Sequence, residues 1–340
     1  MNTVWDIKTE DFPKDSSIEE QIKFCLSYGI LAPSTHNSQP WLFKISKSFC
    51  DIFNDPSVQI IEGDPNKNYL YLSIGCLIEN IIIAADYFKL FKSIKYYTKK
   101  NDDLLARLYF QRQNKKKISY LNKDLVSAIT NRFNARGLFQ SKKISKDIIK
   151  NITKLNNFEN IQISFIDKKT DIEKIAQLTA VGVDDIYKNN KFRSEMSKWI
   201  NNNLSSKKRG MPGYTLKMPL PLSIIFPLVI PHINLGKILS KLNYASVSSA
   251  PSIIIFSSKS NDQRSMIEVG RISQRTMLYL ASKKIKHSVF VASLEKSLTK
   301  SKLKKIADTN YEPRFLFCVG YIKTPQIHSP RLPLSSRLIK

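Results

Sequence analysis

Glycine is scarce, with ten in 340 residues, roughly 3% against an average usage of about 7%. No two of the ten are separated by a single residue. That spacing excludes a G-x-G-x-x-G dinucleotide loop and a G-x-x-x-x-G-K-[ST] loop, both of which need clustered glycines to bring backbone N–H groups against phosphate. Cysteine is equally thin: Cys25, Cys50, Cys76 and Cys318 lie far apart with no C-x-x-C, which argues against a structural zinc site or a disulfide framework. His36, His232, His287 and His328 form no H-x-x-x-H or H-E-x-x-H pattern, so no metal is expected. No G-x-S-x-G run supports a serine hydrolase. The longest apolar run, about Pro219 to Pro231, is broken by Pro221 and Pro227 and falls short of a membrane span. The first fourteen residues carry Asp6, Glu10 and Asp11 and no apolar segment. No signal peptide is expected, and the cytoplasm is the expected compartment.

Arginine is missing altogether from residues 1–106, where 11 lysines meet 14 acidic residues. The rest of the chain holds 43 basic and 14 acidic side chains, so the whole excess behind the net charge of +26 lies there. Of the 54 basic residues 42 are lysine, scattered in twos and threes. Lysine in that distribution reads as a solvated surface, and no specific nucleic-acid partner is expected.

Ser17-Ile18-Glu19-Glu20 is a capping box opening a helix to about Gly29. A loop over 32–40 follows, then a strand from Trp41 to Ile45, with another expected near Val58 to Ile61. Leu70 to Phe88 is apolar nearly all round, which predicts a buried helix. A short strand is expected at 93–97 and a helix at 121–130. Further helices are expected at about 145–155, 170–188, 191–203, 262–284 and 301–308. Ser252 to Phe256 and Phe315 to Val319 read as strands covered on both faces. Few strands and many helices make an α+β pattern. Gly75 and Gly270 each precede a serine by 18 residues and a strand start, an echo that predicts a helix–strand core repeated in each half. Residues 205–250 are proline-dense, which argues against regular helix and for a lid. Tyr69, Tyr71, Trp199 and Tyr214 read as core or rim.

The most informative stretch is Ala32-Pro33-Ser34-Thr35-His36-Asn37-Ser38-Gln39-Pro40-Trp41. Two prolines hold short polar side chains between a helix and a strand, presenting uncharged donors at fixed positions. A-P-S-x-x-N-x-Q-P-W resembles the FMN-contacting loop of the nitroreductase superfamily. Arg132-Phe133-Asn134-Ala135-Arg136 has the spacing of that family's R-x-[ST]-x-R run, with Asn in place of Ser or Thr. It stands later in the chain than the family usually has it. Ser329-Pro330-Arg331-Leu332-Pro333-Leu334 resembles the family's closing segment. Together the order resembles the Acg-like branch, in which one chain contains two nitroreductase halves.

The resemblance implies a nitroreductase-like α+β fold with two tandem halves forming a pseudo-dimer. The first half would span 1–120 and the second 121–340, with a lid insertion at about 205–250. It implies bound FMN, NAD(P)H as electron donor, hydride transfer through flavin N5 to a small oxidised acceptor, and possible further self-association. Arg132 and Arg331 would meet the phosphate, Asn134 phosphate or ribityl oxygens, and Arg136 the pyrimidine edge. Pro33, Ser34, Thr35 and Asn37 would close over ring and ribityl chain. No catalytic acid is named, and a non-catalytic FMN-sequestering protein is the alternative.

Overall fold

Seventeen residues from the N-terminus a serine hydroxyl accepts the Glu20 N–H, and the capped helix α1 runs Ile18–Gly29 as the sequence predicts. The computed structural model describes residues 4–98, 103–113 and 120–339. After α1 come β1 (Trp41–Ser46), β2 (Phe49–Asn54), α2 (Asn68–Tyr87), β3 (Phe91–Tyr96) and β4 (Leu104–Phe110). Then follow α3 (Tyr120–Ile129), α4 (Lys146–Leu155), β5 (Ile161–Ile166), α5 (Lys169–Ile186) and α6 (Asn190–Trp199). A two-residue pair, β6 (Ile200–Asn201) and β7 (Met211–Pro212), leads into α7 (Leu220–Val229) and α8 (Gly236–Ser248). The chain closes with β8 (Ser252–Ser258), α9 (Gln263–Ser282), β9 (Lys286–Val289), α10 (Ser297–Ile306) and β10 (Glu312–Gly320).

Two four-stranded antiparallel sheets result, ordered β1-β2-β4-β3 and β5-β8-β10-β9. Renumbered within itself, each reads 1-2-4-3, with a 20-residue helix between its second and third strands. Those helices, α2 and α9, pack face to face. A Cβ on Gly75 would sit 2.1 Å from the Ile267 carbonyl oxygen, and one on Gly270 2.1 Å from that of Leu72. The two glycines singled out in the sequence therefore let the backbones touch. Beside them Glu79, buried, accepts from Arg271 Nε at 2.9 Å and Arg275 Nε at 2.6 Å. Burial opposes its charge, yet the two guanidinium groups hold its carboxyl below the usual range. Helix α2 is long and apolar enough to cross a membrane, but most of it is packed inside the protein. The C-terminal tail returns to the first sheet, where Ile339 N–H donates to the Phe43 carbonyl.

Three expectations need correction. Residues 58–61 form no strand, because the Ile61 N–H is taken by the Glu195 carboxylate instead of a ladder partner. Residues 205–250 are not a long loop but contain α7 and α8. Pro221 stands in the first turn of α7, where a helix needs no N–H, and Pro227 removes only one bond from so short a helix. The helix expected over 191–203 stops at Trp199, where Ile200 and Asn201 pair with Met211 and Pro212. The boundary expected near 120 abuts residues 114–119, which lie outside the described ones.

Candidate functional site

The loop after α1 is held in a costly backbone conformation. His36, Asn37 and Gln39 have φ of 51°, 55° and 51°, a left-handed region that non-glycine residues seldom occupy. Side chains maintain it. Ser34 Oγ accepts the Gln39 N–H at 2.9 Å. Asn37 Nδ2 donates to the carbonyls of Gly210 (2.9 Å) and Pro330 (3.0 Å). Gln39 Nε2 donates to Lys208 O at 2.7 Å, and its Oε1 accepts the Leu332 N–H at 2.8 Å. Two distant segments, 208–210 and 330–332, are thereby tied at one loop.

Two cations converge behind it. Arg331 donates to Asn37 Oδ1 (2.7 Å), Ser329 Oγ (2.6 Å), Ala32 O (3.1 Å) and Leu31 O (3.3 Å). Arg132 Nη2 reaches the same Leu31 carbonyl at 3.3 Å. The guanidinium groups are 3% (Arg132) and 4% (Arg331) exposed by residue, and each has a buried Nε without a partner. Among the described residues neither they nor Arg136 form an ion pair with a carboxylate. Burial lowers Arg132 to about 10; burial and then the neighbouring Arg132 lower Arg331 to about 9. Burial also lowers Arg136. All three remain charged at neutral pH.

Behind the cations His328 is sandwiched between Trp5 and Phe133, with ring centroids 3.9 and 4.0 Å apart. Burial, then Arg132 and Arg331, hold its imidazole down to about 4. Asn134 Oδ1 accepts the Val289 N–H at 3.0 Å, which fixes the 132–136 run to β9.

All eight residues singled out in the sequence, Pro33, Ser34, Thr35, Asn37, Arg132, Asn134, Arg136 and Arg331, line one cavity of about 420 Å³. That size suits a cofactor or small ligand, for which roughly 300–1,000 Å³ is usual. Met211, Thr215 and Leu216 of the 205–250 segment line it too, as do Thr179 and Val183 of α5 and Tyr187 just after that helix. The amide of Asn37 is spent on protein partners, so it positions Arg331 more than it faces the cavity. Sequence reasoning missed the Trp5–His328–Phe133 stack, whose members are far apart in the chain. It also left Tyr69 as core or rim, whereas Tyr69 lines the cavity and donates to Glu295 across it. Burial raises the Glu295 carboxyl. Trp199 stays 6.3 Å from the His36 ring, and Tyr71 and Tyr214 lie outside the lining.

No family profile matches the chain. Over 65 residues it is 31% identical to two NAD(P)H nitroreductases, provisionally so named, from two strains of Mycobacterium tuberculosis. In sequence, part of this chain is nitroreductase-like. The matched stretch spans 19% of this chain and 19% of each relative. Among solved structures, a nitroreductase with bound FMN from Desulfitobacterium hafniense is 11% identical with a TM-score of 0.41, covering 64% of this chain and 97% of that one. The FMN-dependent nitroreductase NfnB of Mycobacterium smegmatis, in complex with NADPH, gives 12%, 0.41, 64% and 97%.

Proposed function

We propose that the cavity binds FMN and that the protein is an NAD(P)H-dependent flavin oxidoreductase of the Acg-like kind, built from two tandem halves. The observation that carries this is the pair of buried cations, Arg132 and Arg331, sharing one carbonyl and lacking a carboxylate. Two adjacent unpaired charges out of water cost several kcal/mol unless an anion joins them. A phosphate monoester fits that demand, and the orphaned Nε atoms fit its oxygens. The loop and the arginine run fit the rest of the group as the resemblance implies, and the repeated 1-2-4-3 sheet supports the two-half reading.

FMN, when bound, supplies hydride acceptance and donation at its N5. The protein's own contribution is position and charge. Arg132 and Arg331 hold the phosphate, Arg136 places a cation toward the ring's pyrimidine edge, and Pro33 to Thr35 cover it. Met211, Thr215 and Leu216 exclude water from the opposite wall. Glu295, its carboxyl raised by burial and accepting from Tyr69, adds a polar group to the cavity wall. The sequestering alternative is favoured by one observation: the segment over the cavity is stitched down at Asn37, Gln39 and Glu195 rather than left free.

Titration of the purified protein with FMN, read by flavin absorbance and fluorescence, tests the reading. One FMN per chain is expected. Arg132→Ala and Arg331→Ala should each weaken binding roughly 10- to 100-fold, the value of a charge-assisted hydrogen bond. If both variants bind as the parent does, the phosphate lies elsewhere. Anaerobic bleaching by NAD(P)H at a saturable rate separates the enzyme from the store.

A further inference from the structure

A surface helix ordinarily turns its apolar residues inward and its polar ones outward. Helix α7 does the reverse. Ser223 and Phe226 are buried, with the Ser223 hydroxyl donating to Leu220 O and accepting the Asn203 N–H. Leu220, Leu222, Ile224, Ile225 and Leu228 face solvent, Leu228 at 69% exposure. Ile233, Ile238 and Leu242 extend the same apolar run into α8. Of the fifteen large hydrophobic residues exposed among the described residues, nine lie within 204–242. Singly scattered apolar residues need no explanation, but a concentration of this kind marks an interaction surface.

Charge selects the occupant. No Asp or Glu occurs between Glu195 and Asp262, while eight lysines and arginines do. Lys207, Lys208, Lys217, Lys237 and Lys241 of the same segment are all exposed. A second copy of the chain docking on this face by two-fold symmetry would set one cationic rim against another. Phosphate headgroups above an acyl interior match both features at once. Ten residues of α7 reach only about 15 Å, so the helix can lie in a bilayer interface but cannot span it. We propose that the α7–α8 face docks peripherally on an anionic lipid bilayer. This does not depend on what the cavity binds.

Flotation of the full chain with lipid vesicles tests it, using phosphatidylcholine alone and phosphatidylcholine mixed with phosphatidylglycerol. The protein should float with the mixed vesicles, at least about tenfold less with phosphatidylcholine alone, and less as salt rises. Ile225→Glu with Leu228→Glu, and separately Lys237→Glu with Lys241→Glu, should each reduce binding at least about tenfold at an unchanged thermal midpoint. Leu228→Trp gives a reading independent of those pairs: its emission should shift to the blue on mixed vesicles. The proposal is overturned if the parent stays in solution with both vesicle types, or if the isoleucine–leucine variant binds undiminished, which would leave bulk charge alone. It is also overturned if the lipid-free protein dimerises through this face, with Ile225→Glu and Leu228→Glu restoring the monomer and no vesicle binding.

Discussion

The two sheets share one strand order and differ in what separates their first two strands. Lys47 and Ser48 suffice to join β1 to β2, whereas residues 167–251 lie between β5 and β8 and contain α5 to α8. The framework is thus common, and the long insertion that adds Thr179, Val183, Met211, Thr215 and Leu216 to the cavity lining belongs to the second sheet alone. The walls are just as unequal. The stretch between α1 and β1 contributes the neutral loop Pro33 to Asn37, and the chain after β4 contributes Arg132, Arg136 and Arg331. No counterpart of the P-S-x-x-N loop precedes β5, so the shared strand order comes with one loop-and-arginine cluster, not two.

The strongest way to break this comparison is at the seam. Gly75→Ala or Gly270→Ala places a methyl against a backbone carbonyl oxygen, which has no room to yield. Each should cost more than about 4 kcal/mol, or abolish folding outright. Urea unfolding is the measurement. A cost below about 1 kcal/mol for both would mean that α2 and α9 do not form a tight helix pair.

Next in size is an opposition between stability and binding. Arg132→Met removes a buried charge that lacks an anion, so the flavin-free variant should be more stable than the parent by about 1–3 kcal/mol. The same change should weaken FMN as above. Thermal melts with and without FMN separate the two effects. A variant less stable in both conditions would make Arg132 a structural cation rather than a ligand for phosphate.

Much of this was legible beforehand, for identifiable reasons. Helices α1, α2, α5 and α9 carry a cap or a long apolar period, and β8 and β10 are continuous apolar runs buried on both faces. The eight cavity residues were legible because three short motifs carry them. Strands β2, β4 and β5 were not, since Phe49–Asn54 and Leu104–Phe110 mix Asp51 and Arg107 into their apolar pattern. Those two residues pair across the strands, at 2.6 Å, a contact that no local window contains. The 205–250 segment misled in the opposite way. Pro221 falls in the first turn of α7 where it is tolerated, Pro227 sits inside that short helix all the same, and the outward leucines and isoleucines obey no core-facing period.

A smaller effect sharpens how the insertion is fastened. Glu195 on α6 accepts the N–H groups of Ile61, Glu62 and Gly63 at 2.6, 3.1 and 2.9 Å. Glu195→Gln keeps the shape but removes the charge that strengthens those bonds. Local opening should become easier by about 1–2 kcal/mol, seen as roughly 5- to 30-fold faster amide exchange at 61–63. Unchanged exchange there would mean that other contacts fix the insertion.

The smallest expected effect lies in pH, and it reads both sides of the cavity. Burial lowers His36 to about 4, partly offset by Glu195, and His328 is likewise held to about 4. An unfolded imidazole takes up its proton near 6.5, so on acidification the unfolded chain binds protons first. Stability is therefore full above about 6.5, falls between about 6.5 and 4, and loses nothing further from these groups below that. Both residues are part-exposed, so solvent screening reduces the effect to about 1 kcal/mol each. Urea unfolding at both ends of the window should show a shallower loss for His36→Asn, whose side chain tolerates a φ of 51°, and for His328→Phe, which keeps the stack. Bound FMN would partly flatten the slope at His328 but not at His36, because burial and then Arg132 and Arg331 depress His328, and a phosphate beside those two cations would offset their share. If flavin leaves the His328 contribution unchanged, the phosphate is not between those two arginines.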